Sequence, residues 1–141
     1  MTARRLVDHY HRMPEKVRLS VTAVIGAGLS LVTYEIIFFL NPMAPKATTS
    51  WALSFIVNIA RQHALHRWLS FTHPTRYWPS LFRAYVMYSG TAVATTFLNY
   101  WLTTSLALNH RLVWLLCMLT TALISLLLLK RYVFRHDHVP V

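Results

Sequence analysis

The stretch LSVTAVIGAGLSLVTYEIIFFL, residues 19–40, decides the fold class of this chain. Glu35 is its only charged residue, and Asn41-Pro42 follows it directly as a stop signal. About 20 mainly apolar residues in a helix are enough to cross the hydrocarbon core of a bilayer. The stretch therefore predicts an uncleaved first transmembrane helix.

Two further apolar runs lie in the second half of the chain, at residues 84–108 and 112–129, and neither contains a charge. The three residues Asn109-His110-Arg111 separate them. Because lipid-exposed irregular backbone is not tolerated in the hydrocarbon region, the two runs predict helices joined as a tight antiparallel hairpin.

The second span is shorter, because only residues 51–60 are mainly apolar before Arg61, Gln62 and His63 begin. A helix that starts at Ala47 and rises about 1.5 Å per residue brings Arg61 only ~21 Å into a core of about 30 Å. We therefore expect Arg61 and His63 at inner-leaflet depth, facing other helices or a hydrated cavity. Snorkelling of Arg61 to the head groups is the alternative.

The composition agrees with a membrane protein, since 55% of the 141 residues are hydrophobic and 13% are charged. The formal net charge of +10 would suggest nucleic acid in a soluble protein, but the cations here flank apolar runs. We therefore expect no nucleic-acid partner. The single cysteine, Cys117, lies in an apolar run and predicts neither a disulfide nor a metal site.

The number of Lys and Arg residues per segment alternates between high and low along the chain. There are five before the first span, and then one, four, one and three in the successive connections and the tail. By the positive-inside rule, both termini and the connection at residues 61–83 are cytoplasmic. The predicted fold class is thus an all-α integral membrane protein. Its four helices, at about 19–40, 47–71, 81–108 and 112–134, form a domain over residues 19–135 between a basic segment, 1–18, and a tail, 136–141.

The two halves of the chain resemble each other at an offset of 63 to 65 residues. Each half has an arginine before its first span, then a glycine, then a late polar residue: Arg18, Gly26 and Glu35 in one, Arg83, Gly90 and Asn99 in the other. Because each half enters from and returns to the cytoplasm, the pattern predicts two parallel two-helix repeats.

Each half also ends in a basic and aromatic signature, His66-Arg67-Trp68-Leu69-Ser70-Phe71 and Lys130-Arg131-Tyr132-Val133-Phe134. With these paired endings, residues 18–135 resemble the GtrA-like family of four-span membrane proteins. His66 stands where that family often has asparagine, and Leu69 replaces a tryptophan. Either Lys130 or Arg131 can be matched to the arginine of the second signature, depending on the alignment.

The resemblance implies movement of a polyprenyl phosphate, or of a sugar linked to it, across a bacterial inner membrane for cell-surface polysaccharide synthesis or modification. It also implies a membrane glycosyltransferase as partner. Because four helices enclose little space, we further expect a homo-oligomer. The sequence shows no nucleophile with its base, no paired acids and no phosphate-cradling glycine loop, so we expect neither an enzyme nor a cofactor. The histidine pairs lack the further ligands of a metal site.

An anionic lipid head group needs cations, and arginine forks hold phosphate oxygens by paired hydrogen bonds. The candidates all fall at predicted cytoplasmic helix ends: Arg67, Lys130, Arg131, Arg18, Arg83 and, beside them, His66. The alternative for each cation is that it sets the topology and touches ordinary anionic lipids.

A polar stripe on the second helix is the candidate translocation route. Ser54, Asn58, Gln62 and His66 recur every four residues, with Arg61 alongside. Interhelical hydrogen bonding without transport is the alternative.

Two polar residues lie inside predicted spans, Glu35 in the first half and Asn99 in the second. Glu35 either carries a coupled proton or pairs with Arg61 or a neighbouring subunit's cation. Two other functions stay open for the chain: a proton-coupled transporter of the small multidrug-resistance type, and a scaffold that recruits a glycosyltransferase without transporting anything.

Overall fold

A computed structural model describes Tyr10, residues 12–67 and residues 76–133. This part of the chain is all-helical and contains no strand: α1 is Glu15–Leu40, α2 Lys46–Leu65, α3 Tyr77–Tyr100 and α4 His110–Val133, with a π-helical turn at Trp101–Ser105. The expected all-α fold is confirmed. Residues 68–71 of the predicted second helix and residue 134 of the predicted fourth helix fall outside the described residues, as does the tail.

Prolines set the ends of α1 and the start of α2. Asn41 is extended, with φ −77° and ψ 118°, because the residue before Pro42 disfavours the helical region. Its side chain then joins the two helices: Nδ2 donates to the hydroxyls of Thr49 at 2.7 Å and Ser50 at 2.9 Å, and Oδ1 accepts the Met43 N–H. This buried asparagine fixes the first loop.

The second loop closes differently. After α3 widens into its π-helical turn, the Leu106 N–H donates to Trp101 and the Leu108 N–H to Leu102. Ala107 between them has a positive φ of 49°. Asn109 then caps α4, because its Oδ1 accepts the Arg111 N–H at 2.9 Å.

Helices that follow one another in the chain pack side by side, α1 on α2, α2 on α3 and α3 on α4. We call the end with the loops at 41–45 and 106–109 the hairpin end, and the other the terminal end. At the hairpin end α1 also meets α4, where Phe38 stacks on His110 with ring centroids 4.0 Å apart.

The interior of the described bundle is as polar as it is apolar. Eight buried side chains are apolar and eight are polar. The polar ones include Thr22, Ser50, Ser54, Thr95 and Asn99. Large apolar side chains instead cover the outside, with Phe39 82% exposed, Val24 74% and Phe97 71%.

One described helix, at Lys16–Leu40, is long and apolar enough to cross a membrane, and His110–Ser125 is a shorter apolar stretch. Arg61, Gln62 and His63 lower the apolar character of α2, and the Ser, Thr and Tyr residues of α3 do the same there.

Candidate functional site

The polar stripe of α2 faces inward along the α1–α2 interface. The Asn58 Nδ2 donates to the Ser30 hydroxyl of α1 at 2.6 Å. The Gln62 carboxamide lies against Gly26, in the place where a Cβ of that residue would be. Ser54 is buried deeper and donates to its own helix at the Trp51 carbonyl. The spacing in the sequence thus correctly predicted a shared inward face.

Arg61 completes this interface, which we call the α1–α2 seam: Gly26, Ser30, Thr33, Asn58, Arg61 and Gln62. Its Nη1 donates to the Leu29 carbonyl at 3.0 Å and to the Thr33 hydroxyl at 2.5 Å, and its Nη2 donates to the Gly26 carbonyl at 3.3 Å. Arg61 therefore faces another helix, as the sequence predicted, and its guanidinium is held by neutral oxygens.

The direction of the Arg61 side chain follows from helix geometry. Side chains lean toward the N-terminus of their own helix, and the N-terminus of α2 is at the hairpin end. The guanidinium therefore reaches toward Leu29 and Thr33, near the middle of α1, and away from the terminal end. Snorkelling would require the opposite direction.

At the terminal end, α2 meets the start of α3 through a second polar group. His63 Nε2 lies 2.9 Å from the Ser80 hydroxyl, and its ring packs edge-on against Tyr77 at 5.2 Å. Arg67 lies over the same Tyr77 ring at 5.7 Å, and His66 Nε2 is 2.9 Å from Gln62 Nε2. The α1–α2 seam is thus continuous with a cationic group at the terminal end.

The predicted phosphate-binding cations share this end of the bundle. Arg18 is half-buried near the start of α1, and Arg83 is exposed in the first turns of α3. Lys130 and Arg131 belong to the last turn of α4, but their side chains lie outside the described part of the chain. How these four side chains are arranged around Arg67 therefore stays a prediction.

Glu35 has a partner that the sequence reasoning did not name. Its carboxylate accepts Nε of Arg111 at 2.9 Å and Nη2 at 3.2 Å, joining α1 to α4 at the hairpin end. This bond to Glu35 raises the pKa of Arg111. Pairing was one of the two expected roles of Glu35, but Arg61 is not its partner: α2 is turned so that Arg61 bonds to oxygens of α1.

An aromatic cluster lies beside this ion pair at the hairpin end. The Lys46 ammonium lies 5.0 Å from the centroid of the Phe38 ring, on which His110 also stacks. The Tyr34 hydroxyl is 3.4 Å from Nδ1 of His110. Desolvation lowers the pKa of His110 and Arg111 lowers it further, while Glu35 acts in the opposite direction.

Asn99, the residue that the sequence comparison of the two halves matches to Glu35, lies in a different environment. It is fully buried, and neither its Oδ1 nor its Nδ2 has a hydrogen-bond partner in the described structure. Nearby, the Trp51 indole donates to the Thr95 hydroxyl at 3.3 Å and the Cys117 thiol to the Thr95 carbonyl at 3.6 Å. The two halves of the chain thus differ in the surroundings of their late polar residues.

Three contributors escaped the sequence reasoning: Arg111, Thr33 and Thr95. In the sequence Arg111 is only a cation in a short loop, and a threonine inside an apolar helix carries no signal that it bonds to another helix. Their positions relative to Glu35, Arg61 and Trp51 depend on helix rotation, which hydropathy does not determine. No family model, curated protein or solved structure matches the chain.

Proposed function

We propose that this chain is a four-span protein of the bacterial inner membrane that translocates a polyprenyl phosphate, or a sugar linked to it. The observation that carries the proposal is the polar α1–α2 seam with its cation, inside a bundle whose exterior is apolar. The seam leads from the terminal end, where the basic residues lie, toward the middle of the bundle.

The distribution of side chains supports a lipid environment for all four helices. Soluble proteins rarely expose contiguous apolar patches larger than a few hundred Å². Here large apolar side chains are exposed on every helix, among them Val24, Ile56, Phe97 and Leu119. Six of the eight buried polar residues in the described bundle are serine or threonine, and such small hydroxyl residues are typical of helices that associate in lipid through close packing and hydrogen bonds.

The charges support an anionic lipid head group as the substrate. Arg18 belongs to α1 and Arg83 to α3, and Arg67 follows the end of α2. All three share the terminal end with the last turn of α4. A polyprenyl phosphate would leave its tail in lipid and present its phosphate to such cations. The cell-surface polysaccharide role and the glycosyltransferase partner come from the GtrA-like resemblance alone.

Lipid binding tests the head-group assignment. Purified protein is offered a polyprenyl phosphate and the bound lipid is measured by native mass spectrometry. The variant with Arg67→Ala, Lys130→Ala and Arg131→Ala should lose most binding. A variant with Arg4→Ala, Arg12→Ala and Arg76→Ala removes the same charge from the same predicted side and should keep it. Equal binding by both variants, in folded protein, would contradict the assignment.

The Glu35–Arg111 pair argues against a transporter of the small multidrug-resistance type. In such a mechanism the carboxylate must exchange a proton against a cationic substrate, whereas Glu35 already holds an arginine at the hairpin end. Expression of the chain should therefore confer no resistance to lipophilic cations. Resistance that Glu35→Gln abolishes would favour the multidrug mechanism instead.

A further inference from the structure

Arg61 is a cation with no anionic partner among the described residues. All three of its hydrogen bonds go to neutral oxygens of α1, and the one ion pair among the described residues is Glu35–Arg111. Charges at this depth in a bilayer are costly unless they are paired or functional. The carbonyls of Gly26 and Leu29 also accept hydrogen bonds within their own helix. Because they carry no charge, they hold the guanidinium without neutralising it.

The unused donors of Arg61 lie on one edge of the guanidinium. Of its five N–H groups, three are donated, which leaves Nε–H and one N–H of Nη2. Nε is buried without a partner in the described structure. The Nε and Nη2 edge is one that can hold two oxygens of a single phosphate.

A matching unpaired acceptor lies one turn away on the same helix. Asn58 donates to Ser30 through Nδ2, but its Oδ1 is buried and has no partner in the part of the chain that the structure describes. Residues three apart on a helix are neighbours, and both Asn58 and Arg61 bond to α1. The seam therefore offers two donors and one acceptor on residues that are one helical turn apart.

We propose that Arg61 and Asn58 form a mid-helix binding site for a lipid phosphate monoester, separate from the basic residues at the terminal end. The phosphate oxygens accept from the guanidinium edge, and the P–OH of the singly protonated monoester donates to Asn58 Oδ1. A phosphodiester has no P–OH. The inference rests on the proposed translocation and names the free lipid phosphate, rather than the sugar-linked form, as the preferred cargo of this site.

Translocation in liposomes tests the site. Purified chain is reconstituted, and transbilayer movement is followed for a polyprenyl phosphate, a monoester, and for phosphatidylglycerol, a diester. Arg61→Gln should slow the monoester about tenfold or more, the loss expected for a charge-assisted pair of hydrogen bonds. Arg61→Lys should recover part of the rate. Arg76→Gln, which removes an exposed arginine at the terminal end, should move the monoester at the wild-type rate.

The Asn58→Ala variant tests the acceptor independently. It can still test the site if the Arg61→Gln variant does not fold. It keeps the cation, so it should lose the preference for monoester over diester while still moving lipid. An unchanged preference would overturn the site. Inorganic phosphate added at millimolar concentration should not inhibit; inhibition that Arg61→Gln removes would mean that the site takes free phosphate instead of a lipid.

The outcomes separate this site from the broader proposal. A wild-type chain that moves no polyprenyl phosphate contradicts the proposed function itself. A wild-type chain that does move it, with Arg61→Gln and Arg76→Gln equally fast, contradicts only the mid-helix site and leaves Arg61 as a tie between helices.

Discussion

The hydrogen bond between Trp51 and Thr95 is the most direct probe of the polar interior. Thr95→Val keeps the shape of the side chain and removes the hydroxyl that accepts the indole N–H at 3.3 Å. Thr91, whose carbonyl accepts the same hydroxyl at 2.8 Å, keeps its helical N–H partner. The unpaired Trp51 N–H is therefore the main cost.

The magnitude follows from the geometry and the environment. Measured hydrogen bonds between membrane helices contribute about 0.6 kcal/mol on average and about 1.7 at most. The Trp51–Thr95 distance is longer than the usual N–H···O distance of about 2.9–3.0 Å. Both residues, however, are buried. We expect a coupling free energy of about 1 kcal/mol.

A double-mutant cycle measures this coupling. Thr95→Val, Trp51→Phe and the double variant are unfolded with increasing SDS, and loss of helical circular dichroism gives the free energy of unfolding. Thr120→Val, at a half-exposed threonine that bonds only within α4, should change stability by less than about 0.5 kcal/mol. A coupling indistinguishable from zero would refute the reasoning that α2 and α3 associate through this bond.

Four further substitutions, at three positions, probe the seam and the hairpin end. Gly26→Ala should leave the free energy of unfolding nearly unchanged, because the roughly 1 kcal/mol gain in helix propensity offsets the displacement of the flexible Gln62 end. Gly26→Leu should separate α1 from α2 and so lower the midpoint of unfolding in SDS. Ala107→Gly should raise the free energy of unfolding by about 0.5 to 1 kcal/mol, because glycine adopts the positive φ without strain; a loss of stability would contradict this. Stability should fall as the pH drops below about 6.5, because the lowered pKa of His110 makes the unfolded chain bind more protons there. His110→Phe keeps a ring against Phe38 and should remove that part of the pH dependence, as thermal unfolding at several pH values would show.

The sequence predicted the helices well because apolar runs, prolines and asparagines mark their ends. The first helix ends at Leu40, as predicted, since Pro42 follows. It begins at Glu15 rather than residue 19, because its first turn is polar and hydropathy does not register it. The four-residue spacing of the α2 stripe likewise predicted its shared face.

Partners across helices could not be predicted in the same way. Pairing depends on how each helix is rotated about its axis, and a sequence dominated by Leu, Val and Thr leaves that rotation open. Pairing is thus one of the two roles that the sequence leaves open for Glu35, but Arg111 can be identified as its partner only from the packing of α4 on α1. The bonds of Arg61 to carbonyls have no sequence signal at all, since every residue carries a carbonyl.

Movement of a polyprenyl phosphate by this chain alone, reconstituted in protein-free lipid vesicles, tests the central claim most directly. The proposal predicts transbilayer movement faster than in empty vesicles, reduced to the empty-vesicle rate by Arg67→Ala, Lys130→Ala and Arg131→Ala together. The contradicting result has two parts: the chain alone moves the lipid no faster than empty vesicles do, and faster movement appears only when a membrane glycosyltransferase is added. That result would contradict translocation by this chain and favour the scaffold.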